Sequence, residues 1–184
     1  MKQIRVNYEF EVLLSLLKKE MHGRELAKEL GTSLTRVQSI LNDLRDGNVL
    51  DYRKVGKNHI YFIKKNIVSR SYVLSAENYK FVRVVSKHPF LEPLFEDIIS
   101  KSGSGLIVLF GSYVKGNARK ESDVDIYIEG VDEKVKKDVE KVSDLVSVKI
   151  GAFDKDALLV REIIKDHVII KGGEEFYDKI GFFE

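Results

Sequence analysis

The chain has no cysteine, no tryptophan, two prolines and two glutamines, Gln3 and Gln38, in 184 residues. Without cysteine there is neither a disulfide framework nor a zinc–thiolate site. No apolar run approaches the roughly 20 residues of a membrane span. The opening stretch MKQIRVNYEF has no signal-peptide core, so the chain is expected to act in the cytoplasm with no membrane partner. Charge, by contrast, is plentiful: 33% of the residues are Asp, Glu, Lys or Arg, a balance compatible with a thermophilic source.

The length allows two small domains, each with its own core. Net charge is only +2, yet it is unevenly spread. Residues 1–65 carry 13 Lys and Arg against 8 Asp and Glu, whereas residues 66–184 carry 18 against 21. The basic half is therefore expected to face a polyanion.

Residues 8–65 read as three helices and a hairpin. Phe10, Leu13, Leu14, Leu16 and Leu17 repeat at helical spacing. A second helix over 24–30 presents Leu26, Ala27 and Leu30 and stops at Gly31. Ser33 is placed to cap a third, whose Val37, Ile40, Leu41 and Leu44 turn inward before Gly47. Two apolar-alternating runs, 49–55 and 59–63, flank Gly56, Lys57 and Asn58 and predict the hairpin. Arg53, Lys54, Lys57, His59, Lys64 and Lys65 decorate it against one acid, Asp51.

Two further helices are expected over 75–86 and 91–99, joining the domains and offering a face for a homodimer. The Gly-Ser stretch 102–105 lacks the Lys-Ser/Thr of a P-loop and reads as a hinge. The four histidines show no metal-ligand spacing.

The chemistry is concentrated in residues 111–125, GSYVKGNARKESDVD. An apolar run, 106–110, leads into Gly111 and Ser112, and a second apolar run opens on Asp123 and Asp125. Side chains two apart in a strand lie on one face, about 6.6 Å apart along the chain. Asp123, Asp125 and Tyr127 thus share a side while Val124, Ile126 and Ile128 take the other. Carboxylates so close raise one another's pKa unless a cation intervenes, and a hard cation such as Mg²⁺ suits oxygen ligands beside a phosphate. If a helix starts near Tyr113, the amides around Ser112 offer an anion-binding turn, with Lys115, Arg119 and Lys120 nearby.

A Gly-Ser pair, a basic residue and Gly, then Ser-Asp-x-Asp before apolar residues, resembles the minimal nucleotidyltransferase domain of the DNA polymerase beta and kanamycin nucleotidyltransferase superfold. The matching positions are Gly111, Ser112, Lys115, Gly116, Ser122, Asp123 and Asp125. The resemblance covers about 90–180. It implies two Mg²⁺ ions held by catalytic Asp123 and Asp125, an NTP such as ATP cradled by Gly111, Ser112, Lys115, Gly116 and Ser122, and in-line attack of a hydroxyl on the α-phosphate. Family members add a third carboxylate from a later strand. Here that strand, 146–153, offers Ser147 and Lys149 on the expected face, and Asp154 reads as the cap of a helix starting near Lys155.

Residues 8–65, in turn, resemble the winged helix-turn-helix family. That likeness implies a recognition helix presenting Thr35, Arg36, Gln38, Ser39 and Asn42 to duplex DNA, with Arg53, Lys54 and Lys57 of the wing on phosphates. The expected architecture is α+β in two domains. An N-terminal winged helix-turn-helix (1–66) is followed by a helical connector (67–104) and a C-terminal α/β nucleotidyltransferase-like sheet with flanking helices (105–184, its leading helix at 90–102). Two functions follow from these likenesses. One is a Mg²⁺-dependent transferase of nucleoside monophosphates to a hydroxyl acceptor on a protein, small molecule or nucleic acid. The other is a DNA-binding regulator, antitoxin-like, whose transferase domain senses nucleotide or docks a protein partner encoded nearby.

Overall fold

A computed structural model describes residues 5–184. It is a mixed α and β structure with two separate sheets. The chain divides into two compact units at 79/80: residues 5–79, with the terminal pair 183–184, and Lys80–Phe182.

The first unit begins with α1 (Tyr8–Lys18), capped by the Asn7 side chain, which accepts from the amides of Glu9 and Phe10. Val12, Leu13, Ser15 and Leu16 are its buried residues. A two-residue strand β1 (Met21–His22) follows, then α2 (Gly23–Glu29) and α3 (Leu34–Asp46). Ser33 caps α3 as its sequence position predicts, its hydroxyl accepting from the Arg36 amide at 3.2 Å. Val37, Leu41 and Leu44 are fully buried, three to four residues apart, so α3 turns one stripe inward.

The hairpin is β2 (Leu50–Val55) and β3 (Asn58–Ile63). Its register runs from Leu50 opposite Ile63 to Val55 opposite Asn58, so Asn58 belongs to the strand and the turn is Gly56-Lys57 alone. β1 adds to β3, giving the sheet order β1-β3-β2. No sequence pattern marks β1, because two residues are too few for any alternation to show.

Helix α4 (Ile67–Lys87) is longer than the expected 75–86 segment. Its first turn is fixed by Asn66, whose side chain accepts from the Ser69 amide at 2.9 Å, while the buried Ser69 hydroxyl donates to the Val49 carbonyl. Burial of Ser69, Val73 and Ala76 outweighs the modest helix propensity of this Ser- and Val-rich stretch.

The second unit holds α5 (Leu91–Ser102), β4 (Ile107–Phe110), a single turn α6 (Ser112–Lys115), β5 (Val124–Glu129), α7 (Glu133–Glu140), β6 (Val146–Gly151), α8 (Leu158–Lys165), β7 (Val168–Lys171) and α9 (Gly173–Ile180). The four strands are ordered β6-β5-β4-β7. β5 and β6 run parallel, joined through α7, while β4 is antiparallel to both its neighbours. One sheet face packs Ile107, Leu109, Val124, Ile126, Ile128, Val146 and Val148 with Leu91, Leu94, Phe95 and Ile98 of α5 and Val139 of α7. On the other side, Tyr127 meets Phe153, and Phe153 meets Phe176 of α9. His167 is a packing residue in this layer, its ring 4.4 Å from that of Phe176.

Two local expectations are corrected. The 102–105 stretch is a packed corner and not a hinge: Ser102 and Ser104 are buried, and the Ser104 hydroxyl donates to the Glu129 carbonyl at 2.7 Å. Asp154 does not cap a helix; its carboxylate accepts from the Asp156 amide in a tight turn, and α8 begins only at Leu158. Leu158 itself is exposed, so the buried stripe of α8 is Val160 and Ile163. Among the described residues, no helix is long and apolar enough to cross a membrane.

Candidate nucleotide site

The site is assembled by strand register. Antiparallel pairing sets Phe110, the last residue of β4, opposite Asp125 near the start of β5. The residue that follows Phe110 is Gly111, so the turn leaving β4 and the carboxylate entering β5 meet at one sheet end. They touch closely: a β-carbon on Gly111 would collide with the Asp125 carboxylate. Gly111 also has φ +77° and ψ −144°, a combination that is essentially glycine-only. Both conformation and space therefore demand glycine here.

After Gly111 the chain makes one helical turn, Ser112–Lys115, closed by Gly116 with φ +73°. A single turn sums few peptide dipoles, so any attraction for phosphate comes from the local amides of the turn and from Lys115. Ser112 is half-buried at the turn, and Lys115 and Gly116 are exposed.

Asp123 and Asp125 both lie at this end, as alternation requires. Asp123 is exposed and Asp125 half-buried. Burial, and then the neighbouring Asp123 charge, push the Asp125 carboxyl above the usual carboxylate range, while Lys149 and then Lys115 draw it back. A carboxylate pair with this repulsion suits a hard cation held by oxygen donors. Among the described residues, however, no three His, Asp or Glu side chains gather as a metal-binding group.

The loop between Gly116 and Asp123 is internally braced. The Ser122 hydroxyl accepts from the Arg119 amide at 2.8 Å, and the Tyr113 hydroxyl donates to the Ser122 carbonyl. Ser122 thus shapes the approach to the aspartates. Of the three cations expected near the turn, Lys115 acts on Asp125, whereas Arg119 and Lys120 line a cavity of about 320 Å³ with His88, Phe90 and Tyr113.

The strand beside β5 carries the main departure from a three-carboxylate site. Ser147 is registered with Asp125, and Lys149 with Tyr127. Sequence alternation named both residues, but their adjacency to Asp125 became visible only through the parallel pairing.

In the first unit, Thr35, Arg36, Gln38 and Ser39 are exposed along α3, and Asn42 is half-buried. Two of them have internal partners. The Arg36 guanidinium lies 4.4 Å from the centroid of the Tyr8 ring, and the Gln38 amide donates to the Tyr61 hydroxyl at 3.1 Å. Arg53 is ion-paired with Glu20, while Lys54 and Lys57 are exposed. Between α3 and the hairpin lies an open cavity of about 360 Å³ whose lining includes Arg24, Leu34, Gln38, Lys57, Asn58 and His59. His22, also on its wall, caps α2 by accepting from the Glu25 amide.

A comparison with curated proteins finds no match to the chain. A family match does exist: residues 91–177, which contain the Gly-Ser turn, its basic residue, both aspartates and all four strands of the second sheet, match the model of the nucleotidyltransferase domain.

Proposed function

We propose that the second unit binds a nucleoside triphosphate with Mg²⁺ and transfers its nucleoside monophosphate to a hydroxyl acceptor, the new oxygen–phosphorus bond replacing the bond to the β-phosphate with release of pyrophosphate and the hydroxyl proton. The observation that carries this reading is the meeting of the Asp125 carboxylate with the Gly111-Ser112 turn, which brings a cation-binding edge and an anion-binding turn to one point. Asp123 and Asp125 would hold the metal. When bound, Mg²⁺ offsets the triphosphate charge and withdraws electrons from the phosphorus under attack. The Ser112 hydroxyl and the turn amides orient the phosphates, and Lys115 adds a mobile positive charge at the turn. Asp125→Asn tests this proposal. It keeps the size of the side chain and removes the charge, so Mg²⁺-dependent ATP binding should be lost while the unit stays folded. Equal ATP affinity of wild type and variant, with and without Mg²⁺, would sink the metal site.

The first unit we read as a winged helix-turn-helix that binds duplex DNA. Support comes from the polar exposed face of α3, the basic hairpin and the open cavity between them. A second reading of the whole chain, a DNA-binding regulator that senses nucleotide, is favoured by one observation. Ser147 and Lys149 occupy the strand face where a third carboxylate would support catalysis. Mg²⁺-dependent ATP binding without label transfer to any acceptor in a lysate would select the sensor.

A further inference from the structure

Lys149 stands beside the metal edge with a charge opposite to that of a ligand. Within β6, Val146 and Val148 belong to the core and Ile150 packs against it, so the alternate residues Ser147 and Lys149 occupy the other face. Asp125 lies on that same face, since Val124, Ile126 and Ile128 are its core-facing neighbours on β5. Parallel register sets Ser147 opposite Asp125 and Lys149 one step further along the same row.

This arrangement bears on how many divalent ions the edge can take. A protonated lysine offers three donors and no lone pair, so it cannot ligate a metal. Its charge also repels a second dication that would have to share Asp125 with the first. Ser147 contributes only a neutral hydroxyl, and among the described residues no third acid completes a cluster.

We infer that this site holds a single divalent cation with its nucleotide, and that the Lys149 ammonium supplies the second positive charge beside Asp125 and the phosphate oxygens. Lys149 is thereby a nucleotide-binding residue of this chain. The inference rests on the nucleotide-binding reading above, which it refines in stoichiometry.

The test counts ions. The full chain is dialysed to equilibrium with Mn²⁺ and a non-hydrolysable ATP analogue, and bound Mn²⁺ per bound nucleotide is read by paramagnetic resonance. One ion is expected for the wild type and two for Lys149→Asp, which restores an acid on this face. Lys149→Met should keep one ion and weaken nucleotide binding about tenfold, as the loss of one charge-assisted contact implies. Should Lys149→Asp fail to fold by circular dichroism, Ser147→Asp, directly opposite Asp125, carries the same count. Two ions in the wild type would overturn the inference while leaving the nucleotide site standing. One ion in a folded Lys149→Asp would also overturn it. Absence of any Mn²⁺-dependent nucleotide binding would overturn both readings.

Discussion

Replacing Gly111 with alanine tests whether the contact between the turn and Asp125 organises the site, and Gly116→Ala provides an internal control. The two glycines bracket the same helical turn and have similar φ, +77° and +73°. They differ in ψ and in surroundings. Gly116 has ψ 14°, an ordinary left-handed conformation, with no atom within 4 Å of an added β-carbon. Alanine there should cost only the left-handed penalty, about 1 kcal/mol. Gly111 has ψ −144°, where a side chain costs roughly 1–3 kcal/mol, and its β-carbon would also displace the Asp125 carboxylate. For a domain of this size, each kcal/mol shifts Tm by roughly 4–8 °C. Thermal denaturation should therefore show a modest drop for Gly116→Ala and a larger one for Gly111→Ala. The decisive measurement is Mg²⁺-dependent ATP binding at a temperature where both variants are folded. Gly116→Ala should retain it, and Gly111→Ala should lose it because the carboxylate proposed to hold the metal has moved. Equal binding by the two variants would refute the claim that this close approach builds the site.

The pH dependence of stability has a defined sign at Asp125. Its folded pKa is raised, so the folded state holds its proton to higher pH than the unfolded chain, and metal-free stability should fall as pH rises from the ordinary carboxylate range through the raised value. Asp125→Asn should flatten that slope in denaturant titrations at a series of pH values. Tyr127 extends the same logic to alkaline pH. Burial, then the Glu129 charge, push its hydroxyl from 10.0 up to about 12, so stability should fall as pH rises between those values, and Tyr127→Phe should abolish that loss while forfeiting about 1 kcal/mol for the hydrogen bond to the Gly151 carbonyl. In the first unit, Ser33→Ala should cost about 1 kcal/mol through loss of the α3 cap, measurable by urea unfolding. Lys57→Ala should weaken binding to any duplex and reduce the slope of log affinity against log salt by about 1, whereas Arg36→Ala should act mainly on a preferred sequence.

Much of this protein was written locally and could be read without coordinates. The turn at Gly111, the Asp123 and Asp125 alternation, the Ser33 cap and the inward stripe of α3 each depend on residues within a turn or two of one another. Period and capping chemistry encode such features directly. The true start of α4 was not read, because its first turn is rich in serine and valine and its helicity is secured by the Asn66 cap and by burial. What only the tertiary structure decided is who pairs with whom. The order β6-β5-β4-β7, the antiparallel return of β7 and the addition of β1 to the hairpin are set by contacts between distant segments, whose closure carries no local signature. The same holds for the site's character. Sequence placed Asp125 and Lys149 on separate strands 24 positions apart; parallel pairing of those strands set Ser147 opposite Asp125 and the lysine one step further along the same row.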